Sequence, residues 1–357
     1  MKFLFSLILF LPLLFIVSCG GENQSKSRSL VPAKFNSPSN NSMVRIGENL
    51  HINVTASSLK DIKNIKISTK DTVIYDGMPT DENLKFNLNI DNWGIGSIQL
   101  NLETTLKDDR TRKDNRIIRI LPNTFPIEYM AEVIKVYPHA TNLYTQGLEF
   151  DGNQLYEGTG SGGSVRHSVI AKVDLETGEI IQQKDLDNKY FGEGITILGD
   201  DLFQLTWQEY TCFVYDKNTL EEKKRFTYSG EGWGLCNNGE LLIMSDGSEK
   251  LYFRDPTNFN VVKTLEIYDN VGPVRGINEL EFINGKIFAN VYTTNQIVII
   301  DAETGVVTGR IDASLIALDY RKTGEVLNGI AYKESTKQLF ITGKEWPNML
   351  EIALVEE

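Results

Sequence analysis

Five segments of this chain begin alike: QGLEF at Gln146, EGITI at Glu193, WGLCN at Trp233, NELEF at Asn278 and NGIAY at Asn328. They recur every 40–50 residues. A period of that size constrains the fold before any single element is read. Each beginning leads through a turn into a second strand-like run: QLYEGTG from Gln154, DLFQLTW from Asp201, ELLIMSD from Glu240, KIFANVY from Lys286 and QLFITGK from Gln338. The first four units continue into a third run that ends in aspartate and a turn (VDLETGE, YDKNTLE, RDPTNFN, IDAETGV), then into a fourth, as in VVKTLEI. Four short strands per unit, repeated five times, predict an all-β, five-bladed β-propeller over residues 127–357. No helix-period segment of useful length is expected within it. The last unit stops after two or three strands, so a strand must come from elsewhere. The strand-like EYMAEVIKVYPH, 128–139, is the expected donor, and its addition would close the ring and remove two free sheet edges.

Upstream, residues 33–122 read as an immunoglobulin-like β-sandwich that precedes the propeller. Apolar residues alternate in HINVTAS (Ile52, Val54, Ala56), LKFNLNI (Leu84, Phe86, Leu88, Ile90) and SIQLNLE (Ile98, Leu100, Leu102). The segment has no cysteine, hence no inter-sheet disulfide, and its expected role is a spacer or a partner surface. LPNTFP, 121–126, is the linker.

The first 18 residues read as a signal peptide, because Lys2 precedes an apolar run too short to span a membrane. Ile16-Val17-Ser18-Cys19 resembles a bacterial lipobox, which implies cleavage before Cys19 and its lipidation. A plain secretory signal with an incidental cysteine is the alternative. Acyl chains on Cys19 would anchor the protein to a membrane, with residues 19–32 as a flexible tether. The expected location is the bacterial cell envelope, with the outer membrane or a periplasm-facing position favoured. Gly20 is not the aspartate associated with inner-membrane retention.

A net charge of −12 argues against nucleic acid as a partner. Three histidines, His51, His139 and His167, stand at no ligand spacing, so neither metal nor cofactor is expected. Cys212 and Cys236 either pair or are buried as small hydrophobes. A monomer is favoured.

In a propeller the first strand of each blade lines the central channel. Aligned, the five beginnings stack Gln146, Glu193, Trp233, Asn278 and Asn328, and the second strands stack Gly160, Trp207, Asp246, Tyr292 and Lys344. Different polar and aromatic residues converging on one axis point to a site. Aromatic walls would desolvate Glu193 and raise its pKa, which suits a general acid/base. Asp246, in SDGS, is expected to cap its turn, as are Asp174 and Asp301. Trp93 and Trp346 are expected to pack.

The motifs YTQGLEF, YFGEGIT, LTWQ, GEGWGL, LIMSDGS, GPVRGINELEF, LNGIAY and TGKEWPNMLEI resemble, in order from Tyr137 to Ile352, the plant-type glutaminyl-peptide cyclotransferases, or glutamine cyclotransferases. The resemblance implies an acyltransferase that cyclises N-terminal glutamine of peptides or proteins to pyroglutamate and releases ammonia, without zinc. It places the catalytic glutamate on Glu193 and substrate-binding roles on Tyr144, Gln146, Phe191, Trp207, Trp233, Asn278 and Lys344. Tyr292 departs from the family, which commonly has tryptophan there, and is also expected to bind substrate, walling the pocket with Trp207 and Trp233. The competing reading is a non-catalytic propeller lipoprotein that binds peptides or glycans through its channel. A lactonase would need more acidic ligands, and a glycosidase would need Asp246 as a second carboxylate.

Overall fold

The computed structural model describes residues 32–163 and 167–357. The signal peptide, Cys19 and all of the tether except Pro32 lie outside the described residues.

The described chain is nearly all β. Its first part forms two sheets. One orders Ala33–Ser37, Asn49–Ala56 and Asn83–Asn89; the other orders Ser42–Arg45, Thr111–Leu121, Gly96–Leu106, Ile62–Ser68 and Val73–Gly77. The alternation read from sequence explains the core between them: Ile52, Val54, Ile65, Ile67, Leu100, Leu102, Ile118 and Ile120 are buried together. Trp93 packs half-buried against this core. The two parts of the chain touch through Ser97, whose N–H donates to Glu266 Oε2 at 2.8 Å and whose hydroxyl lies 2.9 Å from that of Tyr268.

From Tyr144 onward the units become four-stranded antiparallel sheets. The first three are Tyr144–Asp151 to Ile180–Asp185, Gly192–Leu198 to Glu222–Thr227, and Leu235–Asn237 to Val261–Glu266. The fourth and fifth join edge to edge into eight strands. Their junction is the long strand Ile127–Pro138. It runs parallel to Val307–Asp312 and antiparallel along the whole of Asn348–Glu356. A segment that precedes the first unit thus supplies the outer strand of the last.

The first strands of successive sheets contact one another, and that of the fifth, Leu327–Lys333, contacts that of the first. Five apolar clusters fill the five spaces between neighbouring sheets. Inner strands are therefore covered on both faces, which explains continuous runs such as IVII in Gln296–Asp301. Outer strands carry charge instead: in Glu222–Thr227, EKKRFT, all but Phe226 are exposed. Lysines on such an edge discourage pairing with another chain.

A helix, Ser314–Tyr320, interrupts the strands between the fourth and fifth sheets, against expectation. Ile316 and Ala317 are its buried residues. One turn of apolar spacing in SLIALDY is too short a signal to separate from a strand. Cys212 and Cys236 are both free and buried. Burial pushes both thiols up from their usual pKa, so they sit as small hydrophobes.

Candidate active site

The residues that begin each first strand owe their direction to irregular pairing. Register shifts fall between Thr145 and Gly147, Gly192 and Ile195, Ile277 and Leu280, and Leu327 and Ile330. Gln146, Glu193, Asn278 and Asn328 sit inside these bulges. A bulge re-aims a side chain that a regular ladder would send into the packing between sheets. In the third sheet Trp233 stands just ahead of the short strand Leu235–Asn237, tied by its N–H to Ser245 O.

The next register level holds Gly147, Gly194, Gly234 and Gly329, with Glu279 as the exception. The strands come so close here that a Cβ on Gly234 would lie 1.9 Å from Asn278 O. Glu279 spans this level: its carboxylate accepts the N–H of Leu148 at 3.2 Å and of Ile330 at 2.8 Å, joining three sheets. It is fully buried, and burial pushes its pKa well up.

Above this level lies a cavity of about 290 Å³. Gln146, Glu193, Asn278 and Lys344 supply its polar lining. Tyr144, Phe191, Trp207, Trp233 and Tyr292 supply its aromatic walls. The expected catalytic residue and the eight expected substrate-binding residues therefore line one space. Ser161 and Gly162 complete it and had no sequence signal. Asn328, aligned with these, is buried behind the wall, and Gly160 makes room for Phe191: a Cβ there would meet the Phe191 ring at 2.3 Å. Asp246 does not line the cavity. It accepts from Ser248 N–H and from the Tyr252 hydroxyl, so it caps its turn as expected. Asp174 and Asp301 do the same for Thr177 and Thr304.

The polar groups form a directed chain. Asn328 Nδ2 donates to Gln146 Oε1 at 3.1 Å, and Gln146 Nε2 donates to Glu193 Oε1 at 3.2 Å. Glu193 is 5% exposed. Burial pushes its pKa well above the usual carboxylate range; Lys344 opposes this, and Glu209 and Glu231 reinforce it. Lys344, itself buried, has its Nζ 4.8 Å from the Tyr144 ring centre and 5.2 Å from that of Tyr292, a cation–π seat. Burial lowers its pKa against the pull of Glu193 and Glu325. Asn278 Oδ1 is buried with no partner among the described residues.

Behind the cavity, His139 Nε2 lies 3.1 Å from Glu157 Oε2, and its Nδ1 lies 2.7 Å from Trp346 O. Thr145 donates its hydroxyl to the same Glu157 at 2.7 Å. Trp346 is fully buried and donates its indole N–H to Glu325 O, which fixes the segment that carries Lys344.

The model of the family described as glutamine cyclotransferase matches residues 100–354. The chain belongs to that family. A glutaminyl-peptide cyclotransferase of Arabidopsis thaliana is 40% identical over 229 residues, which cover 62% of this chain and 71% of that protein. The crystal structure of Myxococcus xanthus glutaminyl cyclase matches with a TM-score of 0.61 and 36% identity, over 65% of this chain and 99% of the other. Within this glutamine cyclotransferase chain, sequence reasoning passed over Glu231 and Glu279. Glu231 had a signal: it stands in Gly230-Glu231-Gly232 as Glu193 stands in Gly192-Glu193-Gly194. Glu279 had one too, as the single non-glycine of its register level.

Proposed function

We propose that this cyclotransferase converts the N-terminal glutamine of peptides or proteins to pyroglutamate, with Glu193 as the proton shuttle. The observation that carries this reading is a buried carboxylate, oriented by the Gln146 amide and enclosed by aromatic rings, in a cavity of about 290 Å³. The substrate's α-amine attacks its own side-chain amide carbon. A new C–N bond closes a five-membered ring, and the bond to the amide nitrogen breaks. Holding the folded-back conformer supplies much of the rate, because both reactants belong to one molecule. Glu193 accepts a proton from the attacking amine and returns one to the departing nitrogen, which leaves as ammonia. A pKa raised by burial suits a carboxyl that must do both near neutrality. Lys344 stabilises charge on the carbonyl oxygen. Asn278, which lines the same cavity, helps to hold the substrate there.

The scaffold is read as a five-bladed propeller, supported by five successive strand units, five inter-sheet clusters and the cyclic contact of the first strands. The two preceding sheets are read as an immunoglobulin-like sandwich. The lipobox-like run before Cys19 supports lipid anchoring in a bacterial cell envelope.

The test is ammonia release from a dipeptide amide that begins with glutamine, with and without chelator, beside Glu193→Gln. Chelator-resistant turnover that Glu193→Gln lowers by about 10²–10⁴ supports the mechanism. A folded protein without turnover overturns the reading and leaves a binding propeller.

A further inference from the structure

The cavity wall is a circuit of ring contacts with one unusual link. Tyr144 meets Phe191 edge-on at 6.3 Å, and Phe191 meets Trp207 at 5.7 Å. Trp233 meets Tyr292 at 5.4 Å, and Lys344 bridges Tyr292 back to Tyr144. Between Trp207 and Trp233 the link is a carboxylate. Glu231 Oε2 accepts the indole N–H of Trp207 at 2.9 Å and that of Trp233 at 3.0 Å. Its other oxygen accepts Gln208 Nε2 at 2.9 Å.

Within the cyclotransferase reading, we infer that Glu231 is a positioning residue: its carboxylate clasps indoles from two neighbouring sheets and so sets the wall that grips the substrate's glutaminyl side chain. The two tryptophans arrive from different elements, one just after the strand Asp201–Thr206 and the other just before Leu235–Asn237. Trp207 is 38% exposed, so packing alone does not hold its ring. An N–H bond to a charged acceptor is shorter and stronger than one to a neutral oxygen, and it fixes the indole plane. A solvated surface acid has no reason to receive both indoles on one oxygen. Burial disfavours ionisation of Glu231, but its bonds from Gln208, Trp233 and Trp207 prevail and hold its pKa below the usual value. Its negative charge also acts on Glu193, in the same sense as Glu209 and against Lys344.

Two substitutions separate shape from charge. Glu231→Gln keeps an acceptor oxygen for the indoles and removes the charge; Glu231→Ala removes both. The readouts are KM and kcat for ammonia release, the acidic limb of the pH profile, and acrylamide quenching of tryptophan fluorescence. The inference expects Glu231→Ala to raise KM about tenfold, with kcat changed by less than about threefold, and to increase quenching. It expects Glu231→Gln to restore KM and quenching and to move the acidic limb to lower pH, because a charge that disfavours ionised Glu193 is gone. Parental KM and quenching in Glu231→Ala would overturn it. So would a Glu231→Gln enzyme as impaired as Glu231→Ala with an unmoved pH profile. If the parent enzyme releases no ammonia, the cyclotransferase reading fails, while the quenching comparison still judges the clasp.

Discussion

Gln146 donates its amide N–H to Glu193 at 3.2 Å while its carbonyl is held by Asn328. The amide cannot turn over without losing both bonds, so one oxygen of Glu193 has a fixed donor. Glu193→Gln retains an acceptor for Gln146 and removes the proton shuttle. The expected result is a kcat lower by about 10²–10⁴ with KM little changed, measured by steady-state ammonia release.

Lys344 favours the ionised form of Glu193, against burial. Lys344→Gln removes that pull, so the pKa of Glu193 rises further. Glu193 must be ionised to accept a proton from the amine. The acidic limb of kcat/KM should therefore move to higher pH, opposite in sense to the shift expected for Glu231→Gln. An unmoved limb would show that another group titrates there.

Stability should fall as pH rises across neutrality. Burial, opposed by the Thr196 hydrogen bond and reinforced by Asp151, pushes Glu149 up to about 8. The folded protein thus holds this proton more tightly than the unfolded chain. That contribution is complete below the unfolded carboxyl value, about 4.3, and is lost as pH rises through about 8. Urea midpoints followed between these limits should decline, and Glu149→Gln should flatten the decline. Parallel slopes would refute the assignment.

His139 and Glu157 are both fully buried. Burial disfavours the charged imidazole, but the Glu157 carboxylate outweighs it and holds the His139 pKa above its usual value. His139→Ala leaves that carboxylate with the Thr145 hydroxyl and no cation, at an expected cost of about 3–5 kcal/mol in urea unfolding. Replacing both partners with apolar residues should cost less than replacing one.

The unit spacing and the second-strand ends were legible because repetition makes each unit a control for the others. Trp207, Tyr292 and Lys344 fall at one register position, and all three line the cavity. The bulges were not legible. Period-2 reading has no symbol for the extra residue, so it cannot say why Glu193 turns inward rather than into the apolar layer. Nor does it show bonds made across units. The acceptance of two indoles by Glu231, and of two backbone N–H groups by Glu279, depends on sheets that meet only in three dimensions. The helix Ser314–Tyr320 was hidden by its brevity.

The strand Ile127–Pro138 is made well before its partner Asn348–Glu356 and waits for it. Until then a growing chain carries Glu193, Gln146, the tryptophans and Lys344, but the strand that pairs with Ile127–Pro138 is missing. Such pairing between distant segments is slow to form. A chain that stops short of Asn348–Glu356 therefore leaves Ile127–Pro138 without that partner, and deleting this strand would not trim a tail: it would open the circle in which the cavity is built.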